Sequence, residues 1–130
     1  GHIIISQDTD FETTPWKVHM DWAVKMDKPD FVGKAALARA QRRTPRETLV
    51  PWKMEPGMAT PAEGSIVTIG GSLAGRVTSS KMSYVLGHPV GLAWVTTEHA
   101  NPGGTITIGG APATIGDHAF YDPEGVKLRA

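Results

Sequence analysis

The sequence predicts a mainly β protein, a small antiparallel barrel of the Greek-key or jelly-roll type behind a lead-in of one strand and one helix. Three observations carry that prediction. Of the 15 glycines, only Gly1 and Gly33 precede residue 57, so turn formers crowd into the second half with Pro56, Pro61, Pro89, Pro102, Pro112 and Pro123. Two stretches there resemble each other: residues 65–69 run through Gly70-Gly71 into residues 72–77, and residues 105–108 run through Gly109-Gly110 into residues 111–115. Short runs of this kind recur at about 8–12 residue spacing, and about five to seven strands so spaced make a small barrel or sandwich.

Taken in order, residues 1–47 read as a joining segment and residues 48–130 as the barrel domain. Ile3-Ile4-Ile5 looks like a strand already under way, and the chain opens without Met, as expected of a processed chain or an excised part of something larger. Residues 16–25 place Val18, Met20, Trp22 and Val24 on one face of a strand. After a turn at Asp27-Lys28-Pro29, Asp30 is the expected N-cap of a helix over about residues 30–43. Phe31, Val32, Ala35, Ala36, Leu37 and Ala40 fall at helical spacing, Arg39, Arg42 and Arg43 suit the negative end of the helix dipole, and Pro45 ends it. Beyond it, residues 49–54 and 90–95 read as strands, the second a near-continuous apolar run fit for the core. Each Gly-Gly pair supplies the two positive φ angles of a type I′ turn, flanked by residues that alternate with a period of two. Gly75 and Gly91 inside strands suggest bulges or bends. Ala119-Phe120-Tyr121 reads as a last strand before a turn at Asp122-Pro123-Glu124-Gly125.

Composition excludes several functions. The 130 residues carry 13 Lys plus Arg against 13 Asp plus Glu, and the pI near 7.2 lacks the basic footprint of a nucleic-acid binder. Without cysteine there is no disulfide framework, thiolate zinc site or cysteine nucleophile. The Ile triplet falls far short of the roughly 20 apolar residues that span a bilayer, and nothing resembles a signal peptide, so the expectation is a cytoplasmic protein without a membrane partner.

Residue chemistry narrows the field further. His2, His19, His88, His99 and His118 show no i, i+4 pair and no HExxH pattern, which argues against a metal site. Ser79-Ser80 and Ser83 lack a base nearby and fit loop hydroxyls that cap backbone groups. No GxGxxG or Walker pattern occurs. Arg39, Arg42, Arg43 and Arg46 suit a solvated helix terminus, with a phosphate or polyglutamate tail as the sharper alternative. Trp16, Trp22, Trp52 and Trp94 suit core or interface anchors, with stacking on a planar ligand as the alternative. The acidic stretch Asp8-Thr9-Asp10-Phe11-Glu12 lacks the Gly and terminal Glu of a calcium loop and reads as Asx turns.

The acidic stretch also opens a longer pattern. Asp8-Thr9-Asp10, Thr14-Pro15, Met20-Asp21-Trp22-Ala23-Val24 and Asp30-Phe31-Val32-Gly33-Lys34 are followed by Gly75-Arg76-Val77-Thr78-Ser79-Ser80, Gly91-Leu92-Ala93-Trp94-Val95 and Phe120-Tyr121-Asp122-Pro123-Glu124-Gly125. In that order they resemble the C-terminal portion of the glycine cleavage T-protein (aminomethyltransferase) family, which includes dimethylglycine dehydrogenase and the sarcosine oxidase alpha subunit. The Gln-Asp-Thr-Asp and Val-Thr-Ser-Ser versions look most like the sarcosine oxidase branch. The resemblance implies tetrahydrofolate as cofactor, one-carbon transfer as chemistry, and a barrel that forms one wall of a folate channel against a larger N-terminal portion or partner subunits. The family's catalytic aspartate belongs to that N-terminal portion, and no position here matches it. By the same resemblance Asp8, Glu12, Tyr121 and Arg129 are the candidate folate-binding residues; a carboxylate suits the 2-amino and N3 edge of a pteridine. The alternative is a free-standing, non-catalytic barrel used for protein association, with a homo-oligomer as its expected form.

Overall fold

A computed structural model of the chain describes residues 3–127 and 129. Six strands carry the architecture: β1 (Glu47–Lys53), β2 (Ile66–Ile69), β3 (Ser72–Ser83), β4 (His88–Thr96), β5 (Thr105–Ile108) and β6 (Ala111–Ile115). They close into an antiparallel barrel in the order β1-β4-β3-β2-β5-β6, with β6 returning to β1. β2, β3 and β4 form a meander and β1 lies beside β4, which is a Greek key. Both expected hairpins form. Gly70 and Gly71 take φ of 58 and 83, Gly109 and Gly110 take 57 and 89, and Ile69 pairs with Ser72 as Ile108 pairs with Ala111.

Alternate side chains point into the lumen and fill it. Val50, Trp52, Val67, Val77, Val95, Ile106, Ile108 and Ile115 are all buried there, with Trp52 the largest of them. Gly91 is glycine for want of space: a Cβ there would lie 1.9 Å from the Ser79 carbonyl oxygen and 2.5 Å from the Trp52 ring. It sits in regular pairing with Trp52 and Ser80, so the bulge expected at Gly91 is instead a close approach. At Gly75 the reason is similar, since a Cβ would lie 1.9 Å from the Trp94 carbonyl oxygen, and the unpaired residue is its neighbour Ala74. A second bulge falls at Thr78, between Val77 and Ser79.

Four expected elements differ. Residues 16–25 form no strand; Pro15–Val18 and Asp21–Ala23 are single 3-10 turns, because Pro15 starts a helical turn and His19 at φ 55, ψ 35 breaks any extended run. The helix α1 (Lys34–Gln41) is shorter than residues 30–43. Gly33 at φ 93 is its N-cap, so Asp30 caps nothing in it and instead accepts the Phe31 N–H at 2.8 Å. Ala119-Phe120-Tyr121 adds no strand, since β1 is already paired on both sides, with β4 and β6, and the closed barrel has no edge left for another. Ile3-Ile4-Ile5 likewise contributes just a bridge between Ile5 and Thr9. Among the described residues, no helix is long and apolar enough to cross a membrane.

Candidate functional site

The lead-in crosses the outside of β1, β3 and β4 and is fastened there by one carboxylate. Asp8 is fully buried on the outer face of the barrel. Its Oδ2 accepts the Ile4 N–H at 2.8 Å, while Oδ1 accepts the Thr78 hydroxyl at 2.5 Å and the Ser79 hydroxyl at 2.7 Å. Consecutive strand residues normally face opposite ways, and the bulge at Thr78 is what lets two successive hydroxyls reach the same oxygen. The neighbouring groups reinforce the join. Gln7 Nε2 donates to the Thr78 carbonyl at 2.8 Å, and Trp94 Nε1 donates to the Asp8 carbonyl at 3.0 Å. Both oxygens of Asp8 are therefore engaged by donors of this chain.

Two cavities open on either side of the Pro15–Val18 turn. The first, about 610 Å³, lies against the outer faces of β1, β3 and β4 and is walled by Val18, His19, Trp22, Leu49, Pro51, Leu92, Phe120 and Tyr121, with Ser79 and His118 among its polar groups. Phe120 is held by the backbone beneath it, for a Cβ on Gly116 would lie 2.5 Å from its ring. Tyr121 accepts a hydrogen bond from Lys127 Nζ at 2.7 Å, and that bond holds the lysine's pKa above its ordinary value. The second cavity, about 700 Å³, is lined by Glu12, Trp16, Lys17, Arg43, Pro45, Arg46, Glu47 and Thr96 among others. Its rim is shaped by an Asx turn, in which Asp10 Oδ1 accepts the Glu12 N–H and the Thr13 hydroxyl, both at 2.9 Å. Those bonds, the hydroxyl's foremost, hold the Asp10 carboxyl below its ordinary value.

The four candidate residues are thus spread apart. Tyr121 lines the first cavity, Glu12 lines the second, and Asp8 lies buried at the β3 bulge. Arg129 lines neither; its guanidinium bonds to the carbonyls of Gly125, at 3.3 Å, and Glu124. The tryptophans divide in the same way: Trp22 and Trp16 each wall a cavity, while Trp52 and Trp94 are buried. Sequence reasoning did not join His19, Trp22 and Phe120, because the lead-in and the segment after β6 meet across more than ninety intervening residues and no local spacing reports that. Among the described residues no three His, Cys, Asp or Glu side chains converge as a metal group would require.

A closed Greek-key barrel with a filled lumen, cavities on its outer wall and a lead-in pinned across it defines a β-barrel module whose cavities lie outside the barrel. The particular family follows from the sequence of that barrel. Residues 48–122 match the glycine cleavage T-protein C-terminal barrel domain, and the chain belongs to that family. A probable aminomethyltransferase of Thermococcus gammatolerans is 38% identical over 125 residues, which are 93% of this chain and 31% of that protein. An aminomethyltransferase of Rubrobacter xylanophilus is 38% identical over 134 residues, covering 96% of this chain and 35% of the other. The crystal structure of glycine cleavage system aminomethyltransferase T from Bartonella henselae superposes with a TM-score of 0.78 at 22% identity, over 90% of this chain and 34% of that one, and shares the fold. The chain therefore spans about a third of the length of the curated relatives it matches.

Proposed function

We propose that this chain is the C-terminal part of a tetrahydrofolate-dependent one-carbon transfer protein, of the aminomethyltransferase or sarcosine oxidase alpha type, and that it contributes one wall of the folate channel. The first cavity carries the proposal: it is open on one side, lies against the barrel's outer face, and presents Trp22, Phe120 and Tyr121 as flat apolar surface beside the Ser79 hydroxyl. Aromatic faces of this kind suit a heterocycle. The rest of the channel and the reacting residues belong, on this reading, to an N-terminal portion or to partner subunits in a cytoplasmic enzyme. The sarcosine oxidase type rests on the look of two motifs, Gln7-Asp8-Thr9-Asp10 and Val77-Thr78-Ser79-Ser80, which bond to each other through Asp8, Thr78 and Ser79. With both oxygens occupied, Asp8 acts in this scheme by positioning the lead-in that carries Trp22. Arg129 is left to the folate tail.

Calorimetric titration of the chain with 5-formyltetrahydrofolate tests the single-wall arrangement. One wall gives weak binding, with a Kd of about 1 mM, that is lost in Tyr121→Ala. Nanomolar binding by this chain would overturn it, as would the same weak heat in the variant.

A second reading, a free-standing barrel used for association, is favoured by the apolar side chains the lead-in leaves in solvent, Ile5, Phe11, Trp22 and Val32 among them. It predicts a homodimer by light scattering, and a monomer at high concentration removes its support.

A further inference from the structure

The second cavity gathers cations from three separate elements. Lys17 comes from the first 3-10 turn, Arg43 from the residues just after α1, and Arg46 from the approach to β1. Among the described residues none of the three has a carboxylate oxygen within ion-pair distance, and Glu47 on the same wall is engaged by Arg76 at 3.4 Å. The dipole of α1 accounts for Arg43 near the helix end but for neither Lys17 nor Arg46, which lie on other elements. Three like charges around one concavity repel one another and raise its potential for anions. Thr96 also lines the cavity, though its hydroxyl is shut off from solvent and has no hydrogen-bond partner among the described residues.

We propose that this cavity binds a small oxyanion ligand bearing carboxylate or phosphate groups. Arg43, Arg46 and Lys17 take the charge, and Trp16 with Pro45 covers the ligand's apolar body. At about 700 Å³ the cavity falls within the range of small-molecule sites. Among the described residues Glu12 is the one carboxylate in it without a cation partner, so it opposes the ligand. The site stands apart from the first cavity, and its success or failure is independent of folate binding.

The test is a nuclear magnetic resonance titration of the 130-residue chain at constant ionic strength, following the Trp16 indole and the Thr96 amide. The probes are citrate, inorganic phosphate and, as control, chloride. Expected are saturable shifts with a Kd of about 1 mM for citrate or phosphate and none for chloride. The ratio of the two affinities assigns the ligand to carboxylates or to phosphates. The R43Q/R46Q double variant, altered at two exposed side chains, weakens binding about tenfold or more, while E12Q tightens it about threefold. A purely structural role for the arginines predicts no tightening in E12Q. Shifts that match chloride, or equal affinity in wild type and both variants, overturn the proposal.

Discussion

The barrel and the lead-in hold together by different physics. Inside the barrel, every strand is paired on both sides and the lumen is packed with aliphatic side chains around Trp52. Residues 3–46 of the lead-in contribute one buried residue, and it is a carboxylate. α1 buries nothing, and Ile4, Ile5, Phe11, Met20, Trp22 and Val32 remain exposed. A packed core makes its region a cooperative unit, whereas a segment held by a few polar bonds opens by itself at lower free energy. The folded barrel is a platform, and the lead-in is positioned on it by the Asp8 cluster.

The largest effect should come from the lumen. Trp52→Ala leaves a cavity at the centre of the barrel and should cost about 3–5 kcal/mol, read as a lower urea midpoint with loss of hydrogen-exchange protection in all six strands at once. If protection survived in β5 and β6, the barrel would be two units rather than one.

Next comes the fastening. Asp8→Ala strands the Ile4 N–H, leaves the Thr78 hydroxyl just the Leu92 carbonyl at 3.4 Å, and should cost about 2–3 kcal/mol, confined to the lead-in. Hydrogen exchange should accelerate at Lys17 and Leu37 while Val50 and Ile106 keep their protection. An equal loss in the barrel would break the distinction, because it would mean that the two regions unfold together. Gln7→Ala removes the bonds to the Thr78 carbonyl and the Ser79 hydroxyl and should cost about 1 kcal/mol in the same local opening.

The barrel was legible in the sequence because closure is written locally. Gly-Gly pairs mark hairpins, alternation marks the strands, and the second half carries both. The lead-in was harder for the same reason that it is weakly packed. With no buried apolar face, its periodicity is noise, so Val18, Met20, Trp22 and Val24 mimic a strand although His19 turns the chain into the left-handed region. Asp8 reads in sequence as one acid among three, and its burial depends on a bulge seventy residues away that no spacing announces. Arg42 and Arg43 were visible as a helix end, yet their neighbour Lys17 joins Arg43 and Arg46 across the Pro45 turn by tertiary contact alone. Local rules recover what local energetics decide, and both cavities are tertiary.

Acid gives the smallest and most selective separation of the two regions. Asp10 accepts the Thr13 hydroxyl and the Glu12 N–H, and its carboxyl titrates below the ordinary value of 3.8 in the folded loop. A carboxylate with a depressed folded pKa contributes stability that is fully present above the unfolded value and is lost as pH falls through the folded one. As pH falls below about 4, therefore, the Asx turn should loosen, shifting the Glu12 amide resonance and speeding its exchange, while barrel amides such as Val95 stay fixed. Asp10→Asn keeps an acceptor oxygen without the charge and should flatten that pH response. The side chain is exposed, so solvent screens the charge and the change should stay within the turn. A barrel transition over the same pH interval, abolished by the same substitution, would place the Asp10 loop inside the cooperative core and remove the contrast between fastened segment and packed platform.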